Sequence, residues 1–478
     1  MIQHRKSLAA FATVGCLLLA AGCRSDGKGE ASTTTAAQTT TTAAASTTAA
    51  PSSTTASSTP DSGAESTTTT ADSTPVTDPA PEAWTVDVSN CADPDAATAP
   101  IEGEIKIGSA QPLSGTPAVA FAPVKAGIEL YLAYANANNL IPDHTVSIDI
   151  RDDQYNPAET PGVVSALIDD GVNLFAGIIG SQNNLNVRNT LNDECYPQLL
   201  ALTGSPDWGD IENYPWTTGA LVPYDIEAKI YVDTMVDLGI KTTALFSVKN
   251  EFGNVFADAF KEAAAEAGIE VLDQQTIEPA ETTPPTNQVA AIAGKKVDAI
   301  MAIPLGAQCP TFLKEVENAE AVNAGWTPKI FLTNTCASRL LISLLAGGAG
   351  DGVYTSTAGY DPEDPKYADI EGVVKFLEEY DNAGLEGDQG TTAVGWSLAQ
   401  SVVRILAKAS ESGTLTRQSI IEAARSMEFT NDLAFPGAVY KLDGDADPWT
   451  AQSLQVVTWN EAAKTYDNVG DVVTKYEN

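Results

Sequence analysis

Thr243-Ala244-Leu245-Phe246-Ser247-Val248 is a short apolar run, Asn254 to Ala267 then places apolar residues at helical spacing, and Ile269 to Leu272 opens a second run. Strand, helix, strand in that order is the unit that joins two parallel strands across a helix. The pattern extends in both directions. Upstream, the runs Ile105 to Ser109, Val146 to Ile150, Leu174 to Ile179 and Leu199 to Leu202 are spaced by helical stretches at Val124 to Asn136 and Pro161 to Asp169. Downstream of the helical stretch Asp225 to Leu238 and of the quoted unit come Val297 to Ala302, Thr311 to Ala319 and Ile330 to Leu332, then helical stretches at Tyr367 to Tyr380, Thr392 to Ala409 and Arg417 to Ser426. Such alternation predicts an α/β fold with parallel sheets covered on both faces. Because it restarts near Tyr224, two doubly wound lobes are expected rather than one.

The first thirty residues speak to compartment. Arg5 and Lys6 precede an apolar run from Leu8 to Ala21, too short for the roughly 20 residues that a membrane span needs, and Leu19-Ala20-Ala21-Gly22-Cys23 resembles a lipobox. Residues 1–23 are therefore expected to be a lipoprotein signal with Cys23 lipidated, anchoring the protein outside the cytoplasm. Residues 24–89 are dominated by Thr, Ser, Ala and Pro with almost no large side chains, a composition that cannot bury enough surface to fold. A coil of that length spans on the order of 40 Å and reads as a tether.

Charge and rare residues narrow the function. The net charge is −37; the signal carries two positive charges and the tether to Glu82 a net −5, so −34 stays with the rest. A body this acidic repels nucleic acid. Histidine occurs only at His4 and His144, and His144 lies in a loop leading into the second strand, at the amino end and away from the edge where such sheets place ligands. A Ser-His-Asp hydrolase or a histidine metal site is not supported, and no phosphate-binding glycine loop is present. Asp443-Gly444-Asp445-Ala446-Asp447 has alternate acids but lacks the later residues of a calcium loop, so it reads as a turn. No catalytic residue, metal or cofactor is expected.

With Cys16 in the signal and Cys23 committed to lipid, Cys91, Cys195, Cys309 and Cys336 remain, and three pairings are open. Cys309 and Cys336 follow the runs ending at Pro304 and Leu332. If those runs are neighbouring parallel strands, both cysteines emerge at one edge, which favours Cys309 with Cys336 and Cys91 with Cys195.

Several short segments occur in an order that resembles a known family: Ile105-Lys106-Ile107-Gly108 leading to Pro112-Leu113-Ser114-Gly115, Asp152-Asp153 with Asn156-Pro157, Gly177-Ile178-Ile179-Gly180-Ser181, Glu251-Phe252-Gly253 and Gly395-Trp396-Ser397-Leu398-Ala399-Gln400. Together they resemble the type I periplasmic binding proteins, in the branched-chain amino acid and amide family of ABC importers. Thr203-Gly204-Ser205-Pro206-Asp207-Trp208 and Tyr214-Pro215-Trp216-Thr217-Thr218-Gly219 resemble a branch some of whose members take aromatic or other carboxylates.

The resemblance implies two lobes joined by three hinge strands crossing near Val222, Ser356 and Ala451, with 90–222 and 356–450 forming lobe 1 and 223–355 and 451–478 lobe 2. It implies a monomeric solute receptor that serves a separately encoded permease and ATPase. Transferred by position, Ser181 with Thr203, Gly204 and Ser205 would hold a ligand carboxylate, and Phe121, Phe252, Leu305 and Thr335, beside Asn334, would complete the pocket. Phe252, Leu305 and Thr335 stand where amino-acid binders hold the ligand ammonium, and none can compensate that charge. The expectation is a small solute with a carboxylate or amide and an apolar body. The alternatives are an ordinary branched-chain amino acid binder, a tethered sensing or structural lipoprotein, and a carboxylate-based secreted hydrolase.

Overall fold

The computed structural model describes residues 84–411 and 413–477; the signal, Cys23 and most of the tether lie outside the described residues. The first half builds α1 (Pro94–Thr98), β1 (Glu104–Gln111), α2 (Ala118–Ala137), β2 (Thr145–Asp152), α3 (Thr160–Asp169), β3 (Leu174–Ala176), α4 (Ser181–Asp193), β4 (Gln198–Ala201) and β5 (Thr217–Gly219). These strands form one parallel sheet in the order β2-β1-β3-β4-β5. The third apolar run stops short as a strand because Gly177 takes a left-handed φ of 64°. A Cβ there would lie 2.5 Å from Leu398 Cδ2, so glycine admits that leucine against the strand end.

The second sheet follows α5 (Tyr224–Asp237): β6 (Thr242–Val248), α6 (Glu251–Glu266), β7 (Glu270–Ile277), α7 (Thr286–Lys295), β8 (Ala299–Ile303), α8 (Gln308–Val322), β9 (Lys329–Leu332) and β10 (Tyr354–Thr357). The chain then returns to the first lobe as α9 (Glu371–Asn382), α10 (Gln389–Ser410), α11 (Arg417–Ala424) and a small pair, β11 (Glu428–Phe429) with β12 (Tyr440–Lys441). It ends in the hairpin β13 (Gln455–Asn460) and β14 (Thr465–Asn468), completing the order β14-β13-β10-β9-β8-β6-β7. Val222, Ala451 and Leu454 pack with Ala358 where the chain passes between the sheets.

Each lobe has its own core. In the first, Trp396 meets Tyr131 edge-on at 4.7 Å and Phe376 at 5.6 Å. Helices α2 and α10 touch through glycine: a Cβ on Gly127 would sit 1.9 Å from the Thr392 carbonyl, and one on Gly395 2.0 Å from that of Val124. This contact, which no larger residue permits, fixes where Val124 and Leu398 stand. In the second, Phe246 stacks on Phe312 at 4.5 Å.

Disulfides join Cys91 to Cys195 and Cys309 to Cys336, the pairing favoured by the order of strands. Closing loops of 104 and 27 residues removes on the order of 3 to 5 kcal/mol of chain entropy from each unfolded loop. His144 sits just before β2 against the Gly103 carbonyl, and Asp443 to Asp447 is a closed turn whose Asp445 accepts the indole N–H of Trp84 at 2.8 Å.

Candidate functional site

The carboxyl ends of the strands in both lobes face a cleft of about 300 Å³. Two aspartates shape its first wall. Asp152 accepts N–H bonds from Leu113 and Gln154 and the Ser114 hydroxyl at 2.5 Å, tying the loop after β1 to the loop after β2. Asp153 accepts the N–H of Tyr155, the Thr160 hydroxyl and the Asn183 amide. So held, Tyr155 adopts a left-handed φ of 58°, a strained choice for a bulky residue, and its ring lies parallel to Phe121 with centroids 6.4 Å apart. Both rings line the cleft. The Asp152-Asp153 motif thus organises the loops that present aromatic walls.

Across the cleft stand Phe252 from the start of α6, Leu305 after β8, and Asn334 and Thr335 after β9. Of the residues expected from sequence, the structure brings Phe121, Phe252, Leu305 and Thr335 to the cleft wall. It does not bring Ser181, Thr203, Gly204 and Ser205 there. Tyr224, at the start of α5, stands in front of them: its ring rests on Gly204, where a Cβ would lie 2.6 Å from Tyr224 Cδ1. Its hydroxyl meets Ser181 Oγ at 3.3 Å and Thr203 Oγ1 at 3.4 Å, and those two hydroxyls bond each other at 2.8 Å. Thr203 also accepts the Ser205 N–H at 3.1 Å. The group expected to hold a carboxylate is buried and engaged internally.

The lobes touch directly. Gly306, with φ 55°, approaches α2 so closely that a Cβ would lie 2.8 Å from the Thr116 carbonyl and 2.9 Å from Pro117 Cα. Arg339 Nε meets Asp361 Oδ2 at 2.9 Å, with Glu363 at 3.6 Å, and Lys366 donates to the Tyr466 carbonyl at 2.6 Å.

Asp361 is the only charged side chain among the described residues lining the cleft. Near it the hydroxyl of Tyr466, which also lines the cleft, is buried without a hydrogen-bond partner. Burial pushes that phenol well above its usual range, so it stays protonated.

Behind the second wall Glu227 is fully buried, and its Oε1 accepts the Asn334 N–H and the Tyr231 hydroxyl, each at 2.9 Å. Burial pushes its carboxyl up to about 7. Sequence reasoning missed Tyr155, Tyr224, Glu227 and Tyr466. Signals were available for Tyr155, which lies between Asp152-Asp153 and Asn156-Pro157, and for Tyr224, two residues after the expected crossing at Val222.

Two α/β lobes that meet over an apolar cleft, linked where the chain passes repeatedly between them, define a solute receptor. The model of the periplasmic binding protein family matches residues 104–464, and the chain belongs to that family, with the type I fold. The family has a solute-binding, non-enzymatic fold and an extracytoplasmic place. Among solved structures, the chain is similar to a branched-chain amino acid ABC transporter protein from Thermus thermophilus with bound valine, at 18% identity over 78% of this chain and 97% of that one, with a TM-score of 0.70. It is also similar to a fatty acid ABC transporter substrate-binding protein from Thermomonospora curvata, at 20% identity over 78% and 95%, with a TM-score of 0.66. A third is a solute-binding protein from R. palustris in complex with benzoate, at 18% identity over 78% and 98%, with a TM-score of 0.64. At such identities the likeness is one of fold. No curated protein matches in sequence.

Proposed function

We propose that the chain is the substrate-binding lipoprotein of an ABC importer, without catalytic activity, anchored through Cys23 and working with a separately encoded permease and ATPase. Lobe 1 comprises 90–222 and 356–450, lobe 2 comprises 223–355 and 451–478, and the monomer closes them around its solute. Contacts from both lobes exist only in the closed form, so ligand favours closure by its differential affinity.

The observation that carries the choice of ligand is the apolar cleft wall, on which Asp361 is the only charged group among the described residues. A zwitterion would bury its carboxylate on a wall that carries no cation among the described residues and its ammonium beside an acid, Asp361, already paired with Arg339, which is strongly unfavourable. An apolar body with a carboxylate or amide head fits better, and of the two heads the neutral amide is favoured. Beside the cleft's polar end, off its lining, one cation, Arg339, meets Asp361 and Glu363, and the unpartnered Tyr466 hydroxyl is the donor available to a carbonyl. Phe121, Phe252, Leu305 and Thr335 are assigned to ligand contact. The solved relatives described as fatty acid and benzoate receptors support an apolar body, and the valine complex supports the amino-acid alternative.

Mass spectrometry of ligand retained by the native protein, followed by a melting panel of leucine, valine, amides and benzoate-like acids, tests this. Stabilisation by amides or acids of apolar body is expected, since ligand at 1,000 times its Kd adds about 4 kcal/mol. Stabilisation by leucine or valine alone would restore the amino-acid reading.

A further inference from the structure

The cleft does not stop at the interface between the lobes. Its lining continues into lobe 1, between α10 and the carboxyl end of β4, where Leu200, Leu202, Leu398, Ser401 and Tyr440 close around it. Strand β4 is deformed to make this space. Its register with β5 runs from Gln198 opposite Thr217 to Ala201 opposite Gly219, one residue more on β4 than on β5. The surplus is taken up at Leu200, which has a left-handed φ of 53° and gives its N–H to the Thr218 hydroxyl at 2.9 Å. A bulge of this kind re-aims a side chain, and a leucine held left-handed is costly enough to need a reason. Here the bulge turns an otherwise interior residue onto the cavity wall.

The opposite wall is α10, which offers Ala393, Ser397 and Ser401 at successive four-residue steps and so leaves room beneath it. The Ser401 hydroxyl and the Asn431 amide N–H at the inner end are engaged with one another. Ser401 Oγ donates to the Ser397 carbonyl at 3.0 Å and accepts the Asn431 amide at 2.8 Å. Tyr440 stands beside Asn431, whose Oδ1 is buried without a partner. With Ser401 paired and Asn431 Oδ1 the one buried acceptor left open at that end, the chamber suits hydrocarbon better than water, which needs two to four polar partners.

We infer that the solute carries an extended alkyl or acyl chain, which enters lobe 1 between α10 and the bulge of β4 and leaves the polar head at the Tyr466 end of the cleft. This rests on the apolar-solute reading above and specifies the shape of that solute. Burial of each further methylene is worth about four-fold in affinity, so a homologous series measures how far the chamber reaches.

The experiment titrates linear primary amides and fatty acids of increasing chain length, with benzamide as a compact control, against the purified folded domain by calorimetry or thermal shift. Affinity is expected to climb by about four-fold per carbon until the chamber is full, and then to level off. Ser397→Leu, which adds bulk without removing a side-chain hydrogen bond described here, should move that limit to shorter chains. Leu200→Gly, which tolerates the same φ but removes a buried core side chain, should move it to longer ones, with Ser397→Leu as the second variant that keeps the core. Benzamide or short amides binding with no dependence on chain length, in wild type and in Leu200→Gly, would overturn the inference while leaving the apolar-solute reading standing. No response to any member or to benzamide would overturn both.

Discussion

The hydroxyl of Tyr224 lies 3.3 Å from that of Ser181, so a residue of the protein occupies the place that sequence position assigns to a ligand carboxylate. Ser181 and Thr203 therefore act on the site through Tyr224. Ser181→Ala and Thr203→Ala should each lower stability by about 1 kcal/mol, the net worth of a hydrogen bond, with ligand affinity within about two-fold of wild type. A ten-fold loss of affinity at unchanged stability would mean that Tyr224 swings aside when solute binds.

Tyr466 should behave in the opposite sense. Its buried hydroxyl has no partner within the protein, and leaving such a group unsatisfied costs about 1 to 3 kcal/mol. Tyr466→Phe is expected to be neutral or stabilising in denaturant melts of the free protein while weakening amide binding by about ten-fold. Equal binding by the two proteins would remove Tyr466 from the head-group site.

Closure depends on Gly306, because a side chain there meets Thr116 and Pro117 across the cleft. Gly306→Ala adds about 1 to 2 kcal/mol of left-handed strain to both forms, but the collision arises only on closure. About ten-fold weaker binding is expected, with a larger radius of gyration by small-angle scattering in saturating ligand. A variant that closes as compactly as wild type would contradict the contact.

Glu227 should leave a signature in the pH dependence of stability. Its carboxyl is held at about 7 in the fold against an ordinary 4.5, so between those values the folded protein keeps a proton that the unfolded chain has released. Stability from this group is present below about pH 4.5, falls as pH rises through the window, and is lost above 7, by up to about 3 kcal/mol. Other carboxyls shift the opposite way, among them Asp152, Asp298 and Asp432, so the comparison is between wild type and Glu227→Gln across pH 4 to 8. Parallel profiles would show that Glu227 titrates normally.

Anchoring is tested at Cys23. Cys23→Ser should release the protein from the membrane fraction, and fractionation unchanged from wild type would place the anchor elsewhere.

Much of the fold was legible because its strands are apolar and parallel, and their period stands out against the helices. Of the elements that escaped, α7 is short, with a period of only Val289, Ile292 and Ala293, and others have a chemistry that hides the period. Helix α4 reads Ser181-Gln182-Asn183-Asn184-Leu185-Asn186, and it is held by buried amides: Asn184 bonds the carbonyls of Ile178 and Gly180 and accepts from Gln198. Strand β5 is three residues long, and the hairpin of β13 and β14 lies beyond the last helical stretch. At the site, Phe121, Phe252 and Leu305, carried over by position, lie in the cleft lining. Position could not reveal that Tyr224 covers Ser181, since that depends on Gly204 leaving room for a ring 20 residues further along. The bulge at Leu200 is equally silent, because leucine carries no local signal for a left-handed backbone.

The first described residues are fastened to one lobe only. Trp84 bonds Asp445, the N–H of Val86 meets Glu422, Cys91 is joined to Cys195 and Ala92 bonds the Asp193 carbonyl, all within the body that carries β1 to β5 and α9 to α11. A pull on the chain ahead of residue 84 is therefore borne first by that body and a covalent bond, and it reaches the segment near Ala451 through the Asp443–Asp447 turn, where Gln452 donates to Asp447 at 3.0 Å. The contacts by which lobe 2 meets lobe 1, at Gly306 and Arg339, are thus set apart from the point where the entering chain is fastened.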